Sequence, residues 1–125
     1  MEFVERKIIF HGSYFTDFYL EQSLKVQEKI EFVFHLIRKV ARVSSKFLSQ
    51  IEGTDGLYEV RVEYSSNIYR IFCCFDEGNI VVLFNGFQKK TQKTPVTEIE
   101  KAVRLKNEYF ELKMKSNEKG RNQKR

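Results

Sequence analysis

The sequence predicts an α+β domain, with an N-terminal strand and two helices packed on an antiparallel three-stranded meander and a further helix at the C-terminal end. Three observations predict it. Val26, Ile30, Val33, Ile37 and Val40 recur at helical spacing and make one continuous apolar stripe. Three apolar runs, Leu57–Tyr64, Ile68–Phe75 and Ile80–Phe87, are separated only by Ser65-Ser66-Asn67 and Asp76-Glu77-Gly78-Asn79, which is meander spacing. Finally, Thr94-Pro95 followed by Glu98 and Glu100 reads as a helix start, with a capping hydroxyl, a proline at the first position and acids near the positive end of the dipole.

Taken in order, Phe3–Phe10 reads as a strand ending in Ile8, Ile9 and Phe10. His11-Gly12-Ser13 ends it, and Ser13 can cap a short helix over Tyr14–Leu20. His11 reads as a polar loop residue. The long helix runs from about Ser23 to Val43, with Lys25, Lys29, Arg38, Lys39 and Arg42 off the apolar stripe as a basic flank. That flank can be solvated or can face phosphates or an acidic partner. His35 sits beside the stripe and reads as structural. Ser44–Ile51 reads as irregular or a short helical turn, and Gly53-Thr54-Asp55-Gly56 as a turn cluster. The last helix carries Ile99, Ala102, Val103, Tyr109 and Phe110 on its apolar side.

At 125 residues the chain is one domain, and its 12 Phe and 6 Tyr make the core aromatic. No stretch reaches the roughly 18 apolar residues that suggest a membrane span. The N-terminus has no apolar signal core, so a cytoplasmic location is expected. Cys73 and Cys74 are adjacent on a strand, point to opposite faces and cannot easily bridge each other. With only His11 and His35 besides, the sequence implies no metal site and no cofactor. The net charge of +5 is a tail effect: residues 113–125 hold six bases and the single acid Glu118. Residues 1–112 are therefore neutral and form the domain, and 113–125 read as a basic tail without fixed structure. Nucleic-acid binding must then be argued from local clusters rather than overall charge.

One such cluster follows the third strand. Gly86-Phe-Gln-Lys-Lys-Thr-Gln-Lys-Thr-Pro95 delivers Lys89, Lys90 and Lys93 at the end of an apolar run and beside a helix start. A solvated loop and a phosphate site both fit such a run. Register arithmetic adds two arginines. A four-residue turn over Tyr64–Asn67 puts Arg61 directly opposite Arg70, and a second over Asp76–Asn79 puts Arg70 opposite Asn85. Arg61, Arg70 and Asn85 then form a row on one face. Like charges directly opposite need an acid, which Glu59 and Glu63 can supply, or a bound anion. Arg70 also interrupts an apolar strand, where a charge is costly unless paired. If the ligand is RNA to be cleaved, the arginines can stabilise charge on the phosphate, and a lysine crowded by cations can transfer a proton.

Gly53-Thr-Asp-Gly-Leu-Tyr-Glu-Val-Arg61, Asn67-Ile-Tyr-Arg70-Ile-Phe and Asn85-Gly-Phe-Gln-Lys-Lys-Thr-Gln-Lys-Thr-Pro95, with Ile99–Tyr109 following, resemble the RelE/ParE superfamily of toxins from bacterial type II toxin–antitoxin modules. The HigB-like, phage-derived branch is the most similar, over about residues 3–112. The resemblance implies a RelE-like fold and a ribosome-dependent, metal-independent mRNA endoribonuclease. Its partners would be mRNA, ribosomal RNA and an antitoxin that often carries a helix-turn-helix domain. By position, Arg70 matches the strand arginine that contacts the scissile phosphate, and Arg61 a basic residue of the preceding strand. Lys89 and Lys90 match the basic pair ending the last strand. The expected catalytic set is thus Arg70, Arg61 and Lys90, with Lys89, Lys93 and Asn85 holding RNA. The tyrosine or histidine that the family places near the C-terminal helix has no counterpart around Val96. The superfamily also contains ParE-like gyrase poisons, which share the fold without the nuclease chemistry, and a degenerate member would bind only RNA or its antitoxin.

Overall fold

A computed structural model describes residues 2–90 and 95–123, with side chains through Glu118. The chain is α+β. Its elements are β1 (Lys7–Phe10), α1 (Tyr14–Leu20), α2 (Leu24–Lys39), β2 (Leu48–Gln50), β3 (Tyr58–Tyr64), β4 (Asn67–Asp76), β5 (Ile80–Lys89) and α3 (Val96–Gln123). The antiparallel meander β3–β4–β5 is present, but it is the centre of a larger sheet. The expectation of a three-stranded sheet is corrected to five mixed strands in the order β1-β5-β4-β3-β2. β1 joins this sheet in parallel with β5, pairing Ile8 with Val81 and Phe10 with Leu83. β2, read from sequence as irregular, adds the other edge by pairing Leu48 with Val60. At three residues it is too short to show an alternation.

The sheet is covered on both faces. Val60, Val62, Ile71, Cys73 and Leu83 pack with Phe15, Phe18, Ile30 and Phe34 of α1 and α2. Phe72, Cys74, Val82 and Phe84 pack with Ala102 and Leu105 of α3 on the opposite face. Cys73 and Cys74 accordingly face opposite cores as unbridged thiols. Among the described residues no helix is long and apolar enough to cross a membrane.

The helix ends differ from expectation for identifiable reasons. α2 starts where predicted, with the Ser23 hydroxyl accepting the Val26 amide at 3.3 Å. It stops at Lys39 rather than Val43, because Val40 turns extended to bridge Phe3. The Arg6 guanidinium caps that end, donating to the carbonyls of Ile37 (2.9 Å), Val40 (2.6 Å) and Ala41 (2.7 Å). These are charge-assisted bonds to carbonyls that the helix itself leaves free. Arg6→Ala is expected to destabilise the fold by about 2 kcal/mol, read as a lower denaturant midpoint with unchanged m-value. Ser13 precedes α1 as predicted, but its hydroxyl bonds the Asp17 carboxylate at 3.2 Å instead of a backbone amide. The Thr94 cap lies outside the described residues. In α3 the Pro95 carbonyl accepts the amides of Glu98 and Ile99.

The boundary after residue 112 does not interrupt α3, which continues to Gln123 in place of the unstructured tail expected. Lys113 helps anchor it: its ammonium meets both Asp76 oxygens at 2.9 Å and Glu77 at 3.0 Å, and the Tyr109 hydroxyl donates to Asp76 at 2.7 Å. This clasp fastens α3 to the β4–β5 turn. Desolvation pushes the Asp76 carboxyl up, but the bonds from Lys113 and Tyr109 outweigh it and hold the group below the usual carboxylate range. Burial and the Asp76 bond push the Tyr109 hydroxyl up to about 12. A depressed carboxyl contributes stability above its unfolded value, near 4, and loses it as pH falls through the folded value. Asp76→Asn should therefore lower stability at neutral pH by about 1–2 kcal/mol and flatten the acid limb of the stability curve, as read by denaturant titrations across pH.

Candidate functional site

α3 crosses β4 and β5 toward their shared turn, and leaves the opposite end of the same sheet face open. Alternation brings Glu59, Arg61 and Glu63 of β3 to that face, together with Arg70 of β4 and Phe87 and Lys89 of β5. The first turn forms as the sequence predicts. Ser65 and Ser66 are its two central residues, both at positive φ (50° and 68°), as in the tight hairpin turns that match strand twist. Tyr64 pairs with Asn67, and Arg61 lies directly opposite Arg70.

The acids expected beside this like-charged pair are in place. Arg70 Nη1 donates to Glu59 Oε1, and Arg61 lies 3.5 Å from Glu63. The two pairs are not equivalent. Arg70 and Glu59 have side chains only 12% and 14% exposed, whereas those of Arg61 and Glu63 are 31% and 50% exposed. Within the inner pair, Glu59 Oε2 and Arg70 Nε are buried without a hydrogen-bond partner. Leaving a buried charged group part-satisfied is costly.

Asn85 is not in the row. The second turn is one residue longer than expected, with Glu77, Gly78 and Asn79 between the paired residues, so Ile80 pairs with Asp76 rather than Phe75. The register then shifts between Ile71 and Cys73, where β5 spends an extra residue in a bulge. Together these place Phe87, rather than Asn85, opposite Arg70. Asn85 is buried and donates to the carbonyl (3.2 Å) and carboxylate (3.0 Å) of Glu98 on α3, leaving its own Oδ1 unpartnered.

The two lysines ending β5 part company. Lys89 shares the face with Arg70 and Arg61, and its ammonium is lowered from the usual lysine range by desolvation and by those two guanidiniums, with Glu59 opposing. Lys90 is exposed and lines a cleft of about 450 Å³ on the other side, with Tyr14 of α1, Gln22 just after it and Lys101 of α3. The crowded lysine is thus Lys89, not Lys90. Lys93 lies outside the described residues.

His11, read as a polar loop residue, is largely buried. Its Nε2 lies 2.7 Å from Glu108 Oε1, and its ring packs edge-on against Phe84 and Tyr109. No local sequence signal marks this, because both partners come from distant elements. His35, by contrast, is exposed on α2.

Comparison with known proteins finds one matching family. Residues 17–107, spanning β3, β4 and β5 with their charged face, match the family described as phage derived protein Gp49-like (DUF891). No curated protein matches the chain.

Proposed function

The chain belongs to the Gp49-like family of phage-derived proteins, and from that membership and the Arg70 cluster we propose that it is the toxin of a type II toxin–antitoxin module. In this reading it is a RelE-like, metal-independent endoribonuclease that cleaves mRNA on the translating ribosome, arrests growth and is neutralised by a cognate antitoxin. The observation that carries it is the Arg61–Arg70–Lys89 face, where three cations converge around one nearly buried carboxylate.

The scissile phosphate takes the Arg70 guanidinium, displacing Glu59. Arg61 adds a second forked donor as negative charge builds on the phosphoryl oxygens. Glu59, freed from Arg70, accepts the 2′-hydroxyl proton. The 2′-oxygen bonds to phosphorus, and the bond to the 5′-oxygen breaks with its electron pair. Lys89 protonates that leaving oxygen, and the products are a 2′,3′-cyclic phosphate and a 5′-hydroxyl. Lys90 holds the strand on the neighbouring surface without entering the chemistry.

Primer extension on a reporter mRNA after brief induction tests this directly. New 5′ ends that depend on Arg70 are expected. Growth arrest with gyrase-linked DNA breaks and no mRNA cuts would select a ParE-like poison instead, and binding without toxicity a degenerate toxin. The role of Lys89 has its own signature. A lysine donor with a lowered ammonium loses its proton as pH rises, so wild-type cleavage should decline on the alkaline side earlier than an ordinary lysine would dictate. Lys89→Arg should bind RNA nearly as well, cleave roughly a hundredfold more slowly and lack that decline. An unchanged rate in Lys89→Arg would remove Lys89 from the chemistry.

A further inference from the structure

Arg61 belongs to two surfaces. On the sheet it faces Arg70, and at the edge of β3 it lines a separate cleft of about 220 Å³ with Lys29, Lys46, Phe47 and Glu63. One aromatic ring, Phe47, lines that cleft, and a second, Phe32, flanks it. Lys29 Nζ lies 5.0 Å over the Phe32 ring, and Lys46 Nζ lies 5.6 Å over the Phe47 ring. The two rings meet edge to face at 6.5 Å, and Phe32 remains 49% exposed although it sits on a helix with ample core to join. Glu63, the one carboxylate of the cleft, is paired with Arg61. Among the described residues, no carboxylate lies within salt-bridge reach of Lys29 or Lys46. The cleft therefore holds three cations against one acid, in a domain whose charges as a whole sum to zero.

Cations alternating with exposed aromatic rings suit single-stranded nucleic acid, because the bases stack on the rings while the backbone follows the charges. The location adds continuity. β2 and the chain before it lie one strand beyond β3, so the cleft stands roughly 10 Å, or two strand spacings, from Arg70. We propose that this cleft is a second RNA subsite, in which single-stranded RNA leaving the Arg70 site past Arg61 lays a base on Phe32 and phosphates on Lys29 and Lys46. The proposal rests on the reading of the Arg70 face as an RNA site and gives that site a direction along the strand. It also gives Lys29, from the basic flank of α2, a ligand.

The test is fluorescence anisotropy with 2′-O-methyl RNA, which lacks the nucleophile and is not cut, as a dinucleotide and as a dodecanucleotide. Phe32→Ala and the Lys29→Gln/Lys46→Gln double variant should each bind the dodecanucleotide about tenfold more weakly and the dinucleotide unchanged, with wild-type melting curves. The double variant should also lower the slope of log affinity against log salt by about 1.4, from two lost phosphate contacts. If neither variant weakens the dodecanucleotide while Arg70→Ala does, the subsite is overturned and the RNA reading stands. A loss confined to the lysine variant overturns the base platform. Competition by poly-glutamate as effective as by RNA assigns the cleft to an acidic protein and overturns it as an RNA site. If Arg70→Ala and both cleft variants all leave RNA affinity unchanged, the subsite and the reading beneath it fall together.

Discussion

On the proposed function, Arg70→Ala is expected to lower the rate of mRNA cleavage by roughly two to three orders of magnitude and to weaken the fold as well. The first effect follows from removing the forked donor on which the phosphate charge develops. The second follows from Glu59, which is only 14% exposed and loses its ion partner. Breaking a nearly buried pair by removing one member costs about 3 kcal/mol, because the remaining charge is left desolvated. Inactivity of Arg70→Ala alone would therefore be ambiguous. Replacing both members with apolar residues of similar volume is often neutral or stabilising, so Glu59→Leu/Arg70→Met should regain stability and stay inactive. The measurements are cleavage of a reporter mRNA in a reconstituted translation reaction and chemical denaturation of each variant. A folded double variant that still cuts at a rate near wild type would sink the assignment of both residues.

What the sequence conveyed about this site depended on which contacts are local. Arg61 opposite Arg70 was legible because a two-residue turn fixes the register of the strands it joins, and Ser65-Ser66 forms that turn. Glu59 and Glu63 were legible as counter-charges for the same reason, since they alternate with Arg61 on one strand. Asn85 was misplaced because a bulge leaves no mark in an apolar alternation: Leu83, Phe84 and Asn85 read the same with or without an extra residue. The choice between Lys89 and Lys90 depended on that register, because one residue decides which face a strand side chain takes. β1 and β2 were legible as an extended segment and as nothing definite, respectively, and their places at the sheet edges come from long-range pairing. The Asp76–Tyr109–Lys113 clasp and the His11–Glu108 contact join residues 33 to 97 positions apart, beyond the reach of any periodicity.

Gly86→Ala is expected to destabilise the protein by about 1–3 kcal/mol, despite adding a single methyl group to an exchangeable-looking strand position. A Cβ at Gly86 would meet three atoms of the Phe18 ring at 2.7, 2.9 and 3.0 Å. Phe18 cannot simply swing aside, because it is 8% exposed and locked in the aromatic packing of α1 with Phe15. The added atom must instead push α1 and β5 apart. If this contact is the cause, shrinking the ring removes it: Gly86→Ala/Phe18→Leu should be less destabilised than the sum of the single variants by about 1 kcal/mol or more. Strict additivity in denaturant titrations would show that the methyl group is accommodated elsewhere. The same substitution reaches the site without touching it. Phe87 and Lys89 follow Gly86 on β5, and Phe87 is the residue paired with Arg70. Misplacing a reacting group by about 1 Å can cost a hundredfold in rate. Gly86→Ala should therefore cut mRNA more slowly even at temperatures where it is fully folded, and Phe18→Leu should restore part of that rate along with the stability. A rate loss that the second substitution leaves untouched would separate the packing of α1 on β5 from the placement of Lys89.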